Sequence, residues 1–170
     1  MNRHVNAIAG RLSLRPPQRR SLEILDRITE IAPPRKDANA AAVLEIISSE
    51  FPSVTDFERE FPSLCFALAT GVGKTRLMGA FISYLHLAHG INNFFVLAPN
   101  LTIYNKLIAD FTPNTPKYVF KGIAEFATDA PAIITGDNYD QRDPASGSLF
   151  GGVRVNIFNI SKINSEVRGG

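Results

Sequence analysis

The stretch that most limits how this chain can fold is Leu64–His86, LCFALATGVGKTRLMGAFISYLH. It is an apolar run, then a glycine turn closing in Gly71-Val72-Gly73-Lys74-Thr75, then a helical pattern. That order of strand, loop and helix is the order of a phosphate-binding P-loop. Glycine is required because backbone N–H groups converge on phosphate oxygens only where no Cβ intervenes. The N-terminus of the following helix adds about half a positive charge. Lys74 then offers a point charge to the β- and γ-phosphates of a nucleotide, and the Thr75 hydroxyl offers a ligand to Mg²⁺. Lys74 and Thr75 are therefore the residues expected to act in the chemistry. The position where such loops carry their first glycine holds Leu68.

A chain of 170 residues with 45% hydrophobic content can bury one core, so one domain with an N-terminal extension is expected. The net charge of +2 does not by itself identify a nucleic-acid binder, yet residues 1–36 hold eight Lys/Arg against three acids. Such a surplus either steers a phosphate backbone or coats a solvated face. The single cysteine, Cys65, lies in the apolar run and is expected to pack as a small hydrophobe. One cysteine excludes an internal disulfide framework and suits a reducing compartment. MNRHVNAIAG lacks the apolar region of a signal peptide, and no run nears the roughly 20 residues of a membrane span. The expected compartment is the cytoplasm, with no membrane partner. His4, His86 and His89 do not form a metal-ligand set.

Taken in order, residues 1–14 show little periodicity and predict a loose start. Arg19–Ile31 carries Leu22, Leu25, Ile28 and Ile31 at three-residue spacing, an amphipathic helix that Pro33-Pro34 ends. Asp37–Phe51 predicts a second helix, and Pro52–Pro62 a polar connector. Strand Leu64–Ala69 then leads through the P-loop into helix Lys74–His89, closed by Gly90. Asn93–Ala98 (NFFVLA) is a continuous apolar run, as in a parallel strand covered on both faces. Thr102–Phe111 predicts a helix with Leu101, Leu107 and Ile108 inward. Lys117–Phe120, Ala132–Thr135 and Arg154–Ile160 predict further strands, with Gly136–Gly152 a surface loop. Alternating strands and helices give an α/β fold with a mainly parallel sheet between helical layers. Phe94, Phe95, Phe120 and Phe158 fall inside strand patterns and are expected in the core.

Leu68-Ala69-Thr70-Gly71-Val72-Gly73-Lys74-Thr75 resembles motif I of the superfamily 2 helicases. It is especially similar to that of the Res subunits of type III restriction-modification systems. Leu14–Gln18 (LRPPQ) resembles the L-R-x-x-Q segment that precedes the first lobe of restriction-type motors, and Phe95–Lys106 (FVLAPNLTIYNK) resembles their motif Ia. Arg154–Asn164 (RVNIFNISKIN) resembles the strand and turn shortly before their Asp-Glu box. The resemblance implies a RecA-like P-loop NTPase lobe, a three-layer sandwich left incomplete before that box. It spans residues 63–170 after an N-terminal helical extension over residues 1–62. It implies ATP and Mg²⁺ as cofactors, with double-stranded DNA and a modification methyltransferase subunit as partners.

The same resemblance implies a nucleotide site built from Arg15, Gln18, Thr70, Gly71, Val72, Gly73, Lys74, Thr75 and Arg76. Gln18 would read adenine, because its amide sets a donor beside an acceptor as adenine N6 and N7 require; an exposed glutamine at a helix start is the plainer reading. Arg15 would support that pocket or touch phosphate. Pro99, Asn100 and Thr102 lie at a strand end and helix start and would hold a DNA phosphate, or else simply cap the helix. Ser161 and Lys162 carry the same pair of readings.

Hydrolysis by such a motor needs an acidic pair after a strand, and no Asp-Glu-x-His or Asp-Glu-Ala-Asp occurs in the sequence. Asp137, Asp140 and Asp143 lie in a Gly/Asn-rich stretch without that context. The sequence therefore reads as the N-terminal piece of an ATP-dependent, DNA-translocating Res subunit. The piece itself is expected to bind nucleotide weakly at best and not to turn it over. A superfamily 2 translocase without a nuclease, a small P-loop phosphotransferase and a non-catalytic nucleotide-binding module stay open at this point.

Overall fold

The computed structural model describes residues 2–139 and 152–160. Its first element overturns the loose start: helix α1, Arg3–Arg11, is capped by the Asn2 side chain, which accepts from the His4 N–H. Val5, Ile8, Ala9 and Leu12 are buried at helical spacing, behind a polar first turn that hid the period. Helix α2, Pro16–Ile31, opens three residues before the expected start. Proline suits the first helical turn because its missing N–H has no partner there in any case. Leu22, Leu25 and Ile28 face inward as their spacing predicts. Helix α3, Ala40–Glu50, is shorter than expected because Asn39 caps it, accepting from the Ala42 N–H at 3.1 Å.

Among the described residues the apolar run Leu64–Ala69 pairs with no strand, so the strand expected there is not formed. Burial alternates along it, with Leu64, Phe66 and Leu68 half-buried and Cys65, Ala67 and Ala69 exposed. Cys65 is thus a surface thiol and not the packed hydrophobe expected. Helix α4, Lys74–His89, matches its expected bounds and ends at Gly90 in the left-handed conformation, φ 67°.

Strand β1, Asn93–Ala98, also matches its bounds. Helix α5, Leu101–Phe111, buries Tyr104, Leu107 and Phe111 but leaves Leu101 57% exposed, correcting its inward placement. Lys117–Phe120 is a turn and not a strand. Its Val119 N–H donates to the Asp110 carbonyl, and Val119 rests on Gly79 of α4 so closely that a Cβ there would lie 2.8 Å from it. The apolar residues that suggested a strand are instead a plug between α4 and α5. A short helix that the periodicity did not show, α6, spans Ala124–Thr128.

Strands β2, Ala132–Thr135, and β3, Arg154–Asn159, complete a parallel sheet of order β1-β3-β2. Asn93 to Ala98 pair in register with Arg154 to Asn159, and Ala132 to Thr135 with Arg154 to Ile157. One sheet face sends Val96, Ala98, Val155 and Ile157 into the main core, shared with α1, α2, α4 and α5. The other face carries Phe95, 60% exposed, and Leu97, 48% exposed, with Phe95 stacked on Phe158 at 5.3 Å. Phe120 is in the core as expected, whereas Phe95 is not. A satellite cluster of Ile28, Ile47 and Phe57 sits where α2, α3 and the connector after α3 meet. The result is an α/β arrangement with a small parallel sheet and helices, that of an incomplete RecA-like lobe.

Candidate nucleotide-binding site

The loop between the run Leu64–Ala69 and α4 turns on two glycines in the left-handed region, Gly71 at φ 78° and Gly73 at φ 86°. Residues with a Cβ rarely adopt that conformation. A Cβ at Gly73 would also lie 2.6 Å from Gln18 Nε2, so the position is closed to side chains twice over. Gly73 is the N-cap of α4, and no side chain caps that helix. Its first-turn N–H groups are thus left for an external acceptor.

The loop is braced from the N-terminal segment. Gln18, 2% exposed, donates through Nε2 to the Gly73 carbonyl at 2.8 Å and accepts through Oε1 from the Arg15 N–H at 2.7 Å. Arg15 Nη1 donates to the Gly71 carbonyl at 3.3 Å. In return, Arg76 Nη1 of α4 donates to the Leu12 carbonyl at 3.1 Å. Buried polar groups are held by such partners, and each lost partner costs about 1–3 kcal/mol. Gln18 is therefore a buried brace, not the exposed helix-start residue of the plainer reading, and both ends of its amide are engaged within the protein.

Arg15, Gln18, Gly71, Val72, Gly73 and Arg76 together line a cleft of about 180 Å³. That is below the roughly 300–1,000 Å³ of a typical small-molecule pocket and on the scale of a phosphate-sized group. Lys74 and Thr75 lie at the adjoining helix start. Lys74 is exposed, and its ammonium makes no ion pair among the described residues. The Thr75 hydroxyl oxygen faces a cation already, accepting from Lys106 Nζ of α5 at 3.4 Å; the same ammonium donates to Asp110 Oδ2 at 2.5 Å. Lys106 escaped the sequence reading, because nothing in the spacing brings α5 to the P-loop. Its only local signal is the i, i+4 relation to Asp110.

The fit to a nucleotide with Mg²⁺ rests on these observations: a loop turned by two glycines at positive φ, a lysine with no ion pair among the described residues, and a hydroxyl oxygen that faces a positive charge. Among the described residues no group of three or more His, Cys, Asp or Glu could hold a metal by itself. Thr75 and phosphate oxygens would have to share that task. A larger cavity, about 580 Å³, lies elsewhere, between α2 and residues 51–67, and it is lined by Asp56 and Glu58 with no cation among its lining residues. Its charge is wrong for a phosphate.

At the start of α5, the Asn100 side chain accepts from the Ile103 N–H at 2.9 Å, which is the capping reading of that residue. Pro99 and Thr102 are exposed beside it. Ser161 and Lys162 lie outside the described residues. Away from the P-loop, Tyr84, Asp26, Thr29 and His89 form a cluster in which the Tyr84 hydroxyl donates to Asp26 Oδ1 at 2.8 Å. Burial pushes the Tyr84 hydroxyl up to about 12 and lowers His89. The cluster ties α2 to α4 and brings no group to the cleft.

A glycine-cradled, uncapped helix start with Lys74 and Thr75, set against a parallel α/β sheet, defines a P-loop NTPase. The chain matches the family model of the type III restriction enzyme, res subunit, over residues 11–168, and it belongs to that family. At the level of the family it is a helicase-type, ATP-dependent Res subunit domain. Comparison with curated proteins and with solved structures gives no match. Among the described residues no helix is long and apolar enough to cross a membrane.

Proposed function

We propose that this chain supplies the ATP-binding part of the first RecA-like lobe of a DNA-translocating type III Res subunit, a cytoplasmic protein acting with a modification methyltransferase. The observation that carries the nucleotide reading is the brace. Three hydrogen bonds between residues 12–18 and the P-loop or the start of α4, donated by Arg15, Gln18 and Arg76, brace the loop, which supports a site built for phosphate. Preorganisation of this kind lowers the ordering cost of binding.

In this reading the first-turn N–H groups of α4 and Lys74 take the phosphates, and the Thr75 hydroxyl is a ligand to Mg²⁺. A bound Mg²⁺ supplies charge neutralisation between the phosphates. Gln18 can read adenine only by giving up at least one of its two present bonds, so its resting role is to hold the loop. Arg15 and Arg76 border the cleft and add positive charge around it. Pro99, Asn100 and Thr102 are exposed at the start of α5 and would take a DNA phosphate there. Ser161 and Lys162 are proposed for the same backbone. Unwinding without nuclease activity would draw on the same residues of this lobe.

The test is thermal denaturation of the 170-residue chain with millimolar ATP and Mg²⁺. At about ten times the dissociation constant, stabilisation of about 1.4 kcal/mol is expected, and Lys74→Ala should remove it. Equal stabilisation of the wild type and Lys74→Ala would contradict the assignment, as would steady phosphate release by this chain that Lys74→Ala abolishes, since the reading gives it binding without turnover.

A further inference from the structure

Lys106 stands outside every role assigned above, yet it joins two functional elements. Its Nζ lies 3.4 Å from Thr75 Oγ1 and 2.5 Å from Asp110 Oδ2. The placement is not that of a wandering surface lysine. Asp110, one turn further along α5, is 7% exposed, and its carbonyl accepts from the Val119 N–H in the plug packed on Gly79 of α4. The fold holds the backbone of Asp110 and buries the residue, and its carboxylate holds the ammonium.

We propose that Lys106 is a positioning residue that occupies the cation side of Thr75 in the metal-free state and competes with the divalent cation for that hydroxyl. This rests on the nucleotide reading of the P-loop. An ammonium has three donors and no acceptor, so Lys106 takes one of the two lone pairs of the Thr75 hydroxyl and sets a positive charge beside the other. A divalent cation and an ammonium repel each other at that range. The long contact to Thr75 is the weaker of the two, so Lys106 yields the hydroxyl and keeps Asp110. The exchange moves one side chain of α5, the helix whose N-terminus carries Asn100 and Thr102.

The experiment measures ATP affinity of the 170-residue chain by calorimetry over a series of free Mg²⁺ concentrations, for the wild type, Lys106→Met and Lys106→Arg. Lys106→Met keeps the apolar stem and removes the charge. It should lower the half-saturating Mg²⁺ about two- to fivefold, the scale of one partly exposed charge, and leave affinity without Mg²⁺ unchanged; Lys106→Arg should behave as wild type. Amide shifts of residues 103–107 on adding Mg²⁺ to the ATP-bound chain should shrink in Lys106→Met. An unchanged or raised Mg²⁺ requirement in Lys106→Met overturns the proposal, and so does weaker binding without Mg²⁺, which would make Lys106 a phosphate ligand. If Lys74→Ala abolishes binding while Lys106→Met matches the wild type, the lysine's role alone fails. If Lys74→Ala binds as the wild type does, the nucleotide reading fails and the proposal with it.

Discussion

Two six-residue runs, Leu64–Ala69 (LCFALA) and Asn93–Ala98 (NFFVLA), look alike, and only one is a strand. Both are apolar, and both end in alanine just before a loop. β1 forms a six-rung parallel ladder with β3. Leu64–Ala69 has an alternating pattern of burial but pairs with nothing among the described residues. Hydrophobicity and β-propensity thus lay alternate residues of a segment on a core, and only a partner turns it into sheet. Cys65, Ala67 and Ala69 on its outer side are exposed.

The sharpest way to break this contrast is to place a charge on each side of it. Ile157 of β3 is fully buried against the helices. Ile157→Asp strands an unpaired charge there and should cost more than about 4 kcal/mol, seen as loss of a cooperative melt. Cys65→Asp, on the exposed side of the unpaired run, should change stability by less than about 0.5 kcal/mol. Equal damage from both would mean that the run is paired in solution.

Ring deletions sharpen the contrast next. Phe66 packs edge-on against Phe81 at 4.9 Å on the main core, whereas Phe95 lies on the open sheet face against Phe158. Phe66→Ala should cost about 2 kcal/mol and Phe95→Ala less than about 1 kcal/mol by chemical denaturation. The unpaired run would then owe its place to side-chain packing, and β1 to its ladder.

The loop that follows the unpaired run depends on its brace. Gly73→Ala puts a Cβ at positive φ and against Gln18, and should lower stability by about 1–2 kcal/mol. Gln18→Ala removes the clash, so the double variant should be less destabilised than the sum of the single ones. Strict additivity would show that the brace does not act on the loop.

The smallest effect is set by pH at the far end of α4, the helix that separates the two runs. Burial lowers the His89 pKa below its ordinary 6.5, partly opposed by Asp26. The unfolded chain therefore takes up a proton there before the folded one does, and the stability present above pH 6.5 declines as pH falls below it. Melting curves from pH 7.5 to 5 should show a drop that His89→Gln reduces.

Much of this was legible in the sequence wherever a single local rule decided the outcome. Gly71, Gly73, Lys74 and Thr75 fixed the loop, Gly90 fixed the end of α4, and the apolar runs of β1 and β3 found each other. The α1 period, Val5, Ile8, Ala9 and Leu12, was present but hidden behind Asn2, Arg3 and His4. Lys117–Phe120 misled because Val119 and Phe120 are buried as a plug between helices, which a strand pattern imitates. The buried brace of Gln18 and the contact of Lys106 with Thr75 join residues 55 and 31 positions apart. No periodicity encodes contacts of that kind; they follow from how the helices pack.

The most direct measurement of the central claim is an amide NMR titration of the chain with ATP and Mg²⁺. Shifts should concentrate at Gly71, Val72, Gly73, Lys74 and Thr75, saturate in the millimolar range, and vanish in Lys74→Ala. Shifts centred on the acidic cavity of Asp56 and Glu58, or P-loop shifts that persist in Lys74→Ala, would contradict the account.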